Sequence, residues 1–177
     1  MSTYHHGNLR EVLIAEGVKL VEECGVSGLT LREIGDRAGV SRTAPYRHFA
    51  DKTELLTAIS EAGFAEFADA LEAAAAGAEP KFASRLEAMG VAYLKFAKER
   101  RPYYEVMFGS PHRGGPAATR AFEVLDGLIK SGQQSGDVRP GDSAEMAKVV
   151  WSLVHGIAML GLELDFKLVT EILLTGL

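Results

Sequence analysis

The stretch LTLREIGDRAGVSRTAPYRHFADK, from Leu29 to Lys52, carries the signals of two short helices joined by a turn. Thr30 and Glu33 have the spacing of a capping box, so the first of these helices is predicted to begin at Leu31. Gly39 is predicted to end it, because a helix C-terminus favours a residue that takes positive φ without steric cost. Ser41 is a natural N-cap for the second helix. The stretch is therefore predicted to form a helix-turn-helix hairpin.

The second helix of this hairpin is predicted to have an apolar face and a hydrogen-bonding face. Pro45 and Phe49 are four residues apart and should point inward, whereas Arg42, Thr43 and Tyr46 should share the opposite side. Because Pro45 falls in the first turn, where a missing N–H costs least, we predict an α-helix here. Such a face suits the major groove of DNA. An ordinary helical hairpin with a solvated polar face remains the alternative.

The wider sequence resembles a known family of regulators. From Tyr4 to Phe64 it is similar to the DNA-binding domain of the TetR/AcrR family of bacterial one-component transcriptional repressors. A first helix from about Asn8 to Cys24 and the segment GVSGLTLREIGDRAGVSRTAPYRHFADKTELL, residues 25–56, carry the resemblance. It implies a helix-turn-helix DNA-binding domain over residues 1–51, and a helical effector-binding and dimerisation domain over residues 52–177.

The resemblance also implies roles for individual side chains on double-stranded operator DNA. Arg42, Thr43 and Ala44 are expected to contact base edges. A bidentate contact between arginine and guanine is worth roughly 1–3 kcal/mol of discrimination against the wrong base. A second set of residues is expected to contact phosphates, which mainly fixes the register of the protein on the duplex. These residues are Thr30, Ser41, Tyr46, His48 and Lys52.

The rest of the chain has helical periodicity and no sustained strand-like alternation. We therefore predict an all-α fold of about nine helices. Beyond the hairpin these are Lys52 to about Ala76, Lys81 to Arg100, Tyr103 to Phe108, Ala117 to Ser135, Ser143 to about Leu164, and Phe166 to Thr175.

The helix that begins at Ser143 is predicted to form a homodimer interface. It has more apolar circumference than one chain is expected to cover, and the resemblance implies a four-helix bundle made from the last two helices of each copy. The predicted interface residues are Val150, Leu153, Val154, Ile157, Leu160 and Leu164. The run WSLVHG, with Trp151, His155 and Gly156, resembles a tryptophan–histidine–glycine (WHG) motif of one subgroup of TetR-like C-terminal domains.

Aromatic and apolar side chains in the larger domain are predicted to line a pocket for a small, fairly apolar effector. Each of them would also suit a packed core, and His155 has the further alternative of a hydrogen bond across the dimer. The predicted lining residues are Tyr93, Phe96, Tyr103, Tyr104, Met107, Phe108, Phe122, Trp151, His155 and Met159.

The net charge of −5 is unevenly distributed. Residues 1–50 contain six Lys/Arg and six Asp/Glu, so the acidic excess lies entirely in the later part of the chain. A neutral domain can still bind a polyanion when its cations and helix N-termini share one face. We therefore expect DNA binding that depends strongly on salt.

The sequence also argues against several other functions. The single cysteine, Cys24, continues an inner stripe and is expected to be buried rather than redox-active. His5 and His6 lack further ligands at metal spacing, so neither a metal nor a cofactor is expected. No segment is apolar and long enough for a membrane, which favours the cytoplasm. No catalytic constellation is present, so an enzyme is not expected.

These observations lead to one functional hypothesis and one alternative. The chain is expected to be a ligand-responsive transcriptional repressor that binds a palindromic operator as a homodimer. The alternative is a helical ligand-binding or interaction protein without DNA-binding activity.

Overall fold

The computed structural model describes residues 9–109 and 115–175, and all regular elements in those ranges are helical. The all-α prediction is confirmed. The elements are α1 (Leu9–Gly28), α2 (Leu31–Arg37), a 3₁₀ turn (Pro45–Arg47), α3 (Lys52–Gly77), α4 (Phe82–Glu99), α5 (Arg101–Gly109), α6 (Pro116–Ser135), α7 (Ser143–Leu160) and α8 (Phe166–Thr175). His5 and His6 lie outside the described residues.

The described residues form two compact units. The first contains residues 9–63 and 101–109, and the second contains residues 64–100 and 115–175, so α3 contributes to both. In the first unit, α1 packs on α2 and α5 around a buried apolar core. That core includes Leu13, Ile34, Phe49, Leu55 and Ile59. In the second unit, α4 packs on α6, α7 and α8, and α6 packs on α7.

The end of α1 differs from the sequence prediction. The helix reaches Gly28 through a kink at Gly25, where φ is 71°. The expectation that Cys24 is buried is wrong, because its side chain is exposed and its Sγ donates to the carbonyl of Leu20 at 3.0 Å. The kink lets Leu29, which is fully buried, take the inward position instead.

The end of α7 also differs from the prediction. The helix stops at Leu160, because Gly161 adopts the left-handed conformation at φ 63°. Its N–H donates back to the carbonyls of Ile157 and Ala158, and the N–H of Leu162 donates to that of Ile157 at 3.1 Å. These bonds satisfy carbonyls that the helix end would leave unpaired. Residues 161–165 are therefore an exposed linker to α8.

Hydropathy does not identify a transmembrane helix in this fold. Across residues 9–109 and 115–175, every helix is too short or too polar to cross a bilayer.

Candidate nucleic-acid interface

The segment after α2 is a tight turn rather than the predicted third α-helix. The regular element here is a 3₁₀ helix of three residues, Pro45–Arg47, and one α-type bond follows it, from the N–H of Phe49 to the carbonyl of Pro45 at 3.0 Å. The N–H of Arg47 donates to the carbonyl of Ala44 at 3.1 Å, and the N–H of His48 donates to the carbonyl of Pro45 at 3.0 Å. Because proline has no N–H, it cannot extend an α-helical ladder back to Ser41. Pro45 therefore shortens this element to a single turn.

The same proline fixes the turn against α2. Pro45 is buried, and a Cβ atom placed on Gly35 would lie only 2.8 Å from its Cγ. The N–H of Val40 donates to the carbonyl of Gly35 at 3.1 Å. Phe49, at 1% exposure, closes the other end of the turn. The turn is therefore held in one orientation by packing on both sides.

The predicted base-reading residues lie on the outer side of this turn. Arg42 and Thr43 are exposed, Tyr46 is 55% exposed, and Ala44 is half-buried. The hydroxyls of Ser41 and Thr43 are 3.4 Å apart. Within the described part of the chain, Arg42 forms no ion pair. The polar groups of Arg42 and Thr43, which are predicted to contact bases, and of Tyr46, which is predicted to contact a phosphate, are thus open to solvent.

Three of the predicted phosphate-binding residues also have local structural roles. Thr30 caps α2, since its Oγ1 accepts the N–H of Glu33 at 3.2 Å. Lys52 donates its ammonium to the carbonyl of Ser27 at 3.1 Å. Tyr46 lies within the 3₁₀ turn itself. The Thr30 hydroxyl still has its proton to donate, and Lys52 retains two N–H groups.

Neighbouring carboxylates neutralise one cation of this unit. Arg37 donates to both oxygens of Glu23, at 2.7 and 2.6 Å, and also to Glu33 at 3.3 Å. The hydrogen bonds to Glu23 raise the pKa of Arg37 above its usual range, and the same pairing lowers the pKa of Glu23. Among residues 9–109 and 115–175, Arg32 and Arg47 are not in any such ion pair.

Two family models match this chain. One describes bacterial regulatory proteins of the tetR family and matches residues 13–59, which include the 3₁₀ turn. The other describes a tetracyclin repressor-like C-terminal domain and matches residues 86–172. Together they account for about three quarters of the 177 residues. The chain belongs to the tetR family. Members of this family are regulators rather than enzymes.

Individual relatives agree with this assignment. The tetracycline repressor protein class A of Escherichia coli is 44% identical over 54 residues, which are 30% of this chain and 25% of that protein. The match thus spans about a quarter of the length of the curated relatives. A structure of a protein of unknown function from Rhodococcus sp. RHA1 is 33% identical, with a TM-score of 0.87 over 100% of this chain and 99% of that one. The TetR family regulator PfmR from Thermus thermophilus is 22% identical, with a TM-score of 0.70 over 93% and 98% of the two chains, and so shares the fold.

In the second unit of this tetR-family chain, the structure brings four of the predicted pocket residues into one aromatic cluster. Tyr93, Phe96 and Trp151 surround Phe67, with ring centroids 4.9, 5.1 and 5.7 Å from it. Phe122 joins the cluster through Trp151 at 6.1 Å. Sequence reasoning missed Phe67, although it lies on α3 four residues before Leu71, which is also buried. The helical spacing of these two residues was the available signal.

The remaining predicted pocket residues lie elsewhere, except for His155. Its Nδ1 shares a 2.9 Å hydrogen bond with the hydroxyl of Tyr93. Met159 is 62% exposed, so its side chain is directed away from the interior. The other four predicted residues, Tyr103, Tyr104, Met107 and Phe108, belong to α5 and hence to the first unit.

The predicted dimer interface divides into an inner set and an outer set. Val154 and Ile157 are buried within the protomer at 4% and 3% exposure, so they face its interior rather than solvent. Val150 is half-buried and lines a small apolar cavity. The outer set keeps its exposure, with Leu153, Leu160 and Leu164 at 41%, 74% and 48%. The exposed apolar face of α7 therefore includes only part of the predicted set, because another apolar stripe of this helix packs on α4 and α6.

Proposed function

We propose that this chain is a ligand-responsive DNA-binding transcriptional regulator, and specifically a cytoplasmic repressor that binds a palindromic operator as a homodimer. The observation that carries the proposal is the exposed surface formed by Arg42, Thr43 and Tyr46 on a turn fixed by packing between Pro45 and Gly35. A rigidly held, solvent-facing set of donors has little use in a protein that only binds small ligands.

The chemistry of this surface suits a duplex. The guanidinium of Arg42 forms no ion pair with a carboxylate among the described residues. Two of its N–H groups are therefore available for the O6 and N7 atoms of guanine. Ala44 offers a methyl group for apolar contact. Ser41, Tyr46 and His48 flank these positions, and phosphate contacts from such side chains set register. Lys52 and Thr30 extend the phosphate contacts along the same segment.

An exposed apolar seam on α7 supports dimerisation. Val149, Leu153, Gly156 and Leu160 follow one another at spacings of four, three and four residues, which is the pattern of a helix-pairing seam. Val149 is 65% exposed, and among the described residues outside the adjoining helix backbone no atom lies within 4 Å of a Cβ placed on Gly156. A second copy is the occupant that covers this seam and uses Gly156 for close approach.

The dimer gives the two DNA-binding turns a mechanical role. Two such turns about 34–36 Å apart would meet successive major grooves on one side of the duplex. A small, fairly apolar effector that binds better to a different spacing would release the operator, typically with about 1–3 kcal/mol of coupling. Because Trp151 and His155 both approach Tyr93, we also assign the C-terminal domain to the WHG subgroup.

A gel-shift assay with the DNA that flanks its own gene tests this proposal. The purified chain is expected to retard that DNA, with affinity falling steeply between about 50 and 200 mM salt. The Tyr46→Ala variant should weaken the complex without lowering the melting temperature, since this side chain is exposed. If neither the flanking DNA nor any other duplex is bound above background, the chain is instead a helical ligand-binding or interaction protein.

A further inference from the structure

The first residue of α8 inserts its ring into the interior of the second unit. Phe166 is 6% exposed, and its ring lies directly over Gly90 of α4. A Cβ atom on Gly90 would overlap the ring carbons, so the absence of a side chain at this position is what admits the phenyl group. Phe166 is thus a large side chain in a space that α4 leaves open.

A small cavity adjoins this ring. It has a volume of about 30 Å³ and is walled by apolar atoms, including those of Leu86, Met89, Trp151 and Phe166. A single water needs roughly 10–15 Å³ and two to four polar partners, so the cavity has the volume for water but not the partners. It is also far smaller than an effector pocket, which typically has roughly 300–1,000 Å³.

The lining of the cavity limits what chemistry an occupant can have. Two of its lining side chains have a polar group, Tyr93 and Trp151, and the hydroxyl of Tyr93 pairs with His155 at 2.9 Å. Burying a charged group without a partner costs far more than burying a hydrocarbon. Carboxylates, phosphates and ammonium groups are therefore unsuited to this space.

We propose that the ring of Phe166 is a built-in plug of the effector site, and that the effector is a neutral molecule whose aromatic ring or branched alkyl group takes the plug's place. The inference deepens the proposed function and rests on it. Cavities of roughly 150 Å³ with apolar walls bind benzene in other proteins. The existing cavity together with the space vacated by one phenyl group is the subsite.

The position of the plug connects this site to the outer surface. Phe166 begins α8 directly after the exposed linker of residues 161–165. The opposite face of α8 presents Leu168 and Ile172, at 54% and 39% exposure. An effector that expels the ring must therefore shift the start of α8 and, with it, this exposed apolar face.

Benzene binding to plug variants tests the proposal directly. The free energy spent on expelling the plug weakens wild-type binding, and removing the plug removes that cost. Phe166→Ala should therefore bind benzene at least about tenfold more tightly than the wild-type chain in calorimetric titration. The double variant Gly90→Ala/Phe166→Ala should lose this gain, because the new methyl group enters the vacated space. Val91→Ala, at an exposed position of α4 that does not line the cavity, is the control and should bind benzene like the wild-type chain.

The benzene titrations distinguish a displaceable ring from an ordinary core residue. If the wild-type chain binds no benzene, its ring is not displaced, Phe166 is an ordinary core residue whose removal merely leaves an apolar cavity, and the proposal fails. It also fails if Phe166→Ala binds benzene no better than the wild-type chain or than Val91→Ala. If the double variant retains the gain, benzene occupies another site and the proposal also fails. Should Phe166→Ala not fold, Phe166→Leu is judged by the same comparison. None of these titrations contains DNA, so a failed gel shift would overturn the proposed function and leave the benzene result intact.

Discussion

Leu160→Ala is expected to dissociate the dimer without destabilising the protomer. The substitution removes about three carbons, and each is worth about 0.8 kcal/mol when fully buried. Leu160 is 74% exposed in the protomer, so about three quarters of that amount is available to a partner. This corresponds to roughly 2 kcal/mol per copy and, with two copies, to roughly 4 kcal/mol per dimer. The dissociation constant should rise by about two to three orders of magnitude.

Sedimentation across a concentration series measures this change. Val91→Ala is the control, because Val91 is also exposed, at 51%, but lies on α4 rather than on α7 or α8. It should leave the dissociation constant within about twofold of the wild-type value, since an exposed valine outside the interface buries nothing on association. If Leu160→Ala dissociates no more readily than Val91→Ala, the α7 seam is not the dimer interface.

Two further predictions concern packing and pH. Gly35→Ala should weaken DNA binding and lower the unfolding free energy by up to about 2 kcal/mol, because overpacking against Pro45 outweighs the gain in helix propensity. Gly127→Ala is the control: a Cβ there meets open space on α6, so the variant should stabilise the fold by up to about 1 kcal/mol. Chemical denaturation measures both changes, and equal effects of the two variants would refute the packing argument. The hydrogen bond from Lys130, at 2.6 Å, lowers the pKa of Asp126, so the stability from this pair is present above the unfolded pKa of about 3.9 and is lost as pH falls through the lower folded value. Denaturation midpoints at pH 7 and pH 3 should differ less in Asp126→Asn than in the wild-type chain, and an unchanged difference would show that this pair does not contribute.

The sequence predicts most of the helices because their end signals are local. Thr30 caps α2 as its spacing with Glu33 predicts, and Asp142 caps α7 by accepting the N–H groups of Ala144 and Glu145. For the third helix two effects of Pro45 compete: its position near the start of the helix is tolerated, but its missing N–H removes one hydrogen bond. The structure has a 3₁₀ turn there, in which Pro45 packs against Gly35. A contact between positions ten residues apart leaves no periodic pattern in the sequence.

Predicting the candidate sites is harder than predicting the helices, because it requires knowing which side of each helix the rest of the protein covers. The exposed side chains of Arg42 and Tyr46 follow from short-range periodicity, so sequence reasoning could place them. For α7, periodicity identifies apolar residues on most sides and does not distinguish the stripe with Val154, which packs inside, from the stripe with Leu160. The plug of Phe166 over Gly90 joins positions 76 residues apart and was not foreseen.

Selection of bound sequences from a random DNA pool tests the central claim most directly. The wild-type chain is expected to enrich a palindrome with two half-sites about one helical turn apart. In Arg42→Ala the same palindrome should be enriched, with preference lost at one position in each half-site and a cost of about 1–3 kcal/mol for the best sequence. Uniform weakening across all sequences would place Arg42 on a phosphate, and enrichment of no sequence by the wild-type chain would contradict the claim that this turn reads DNA.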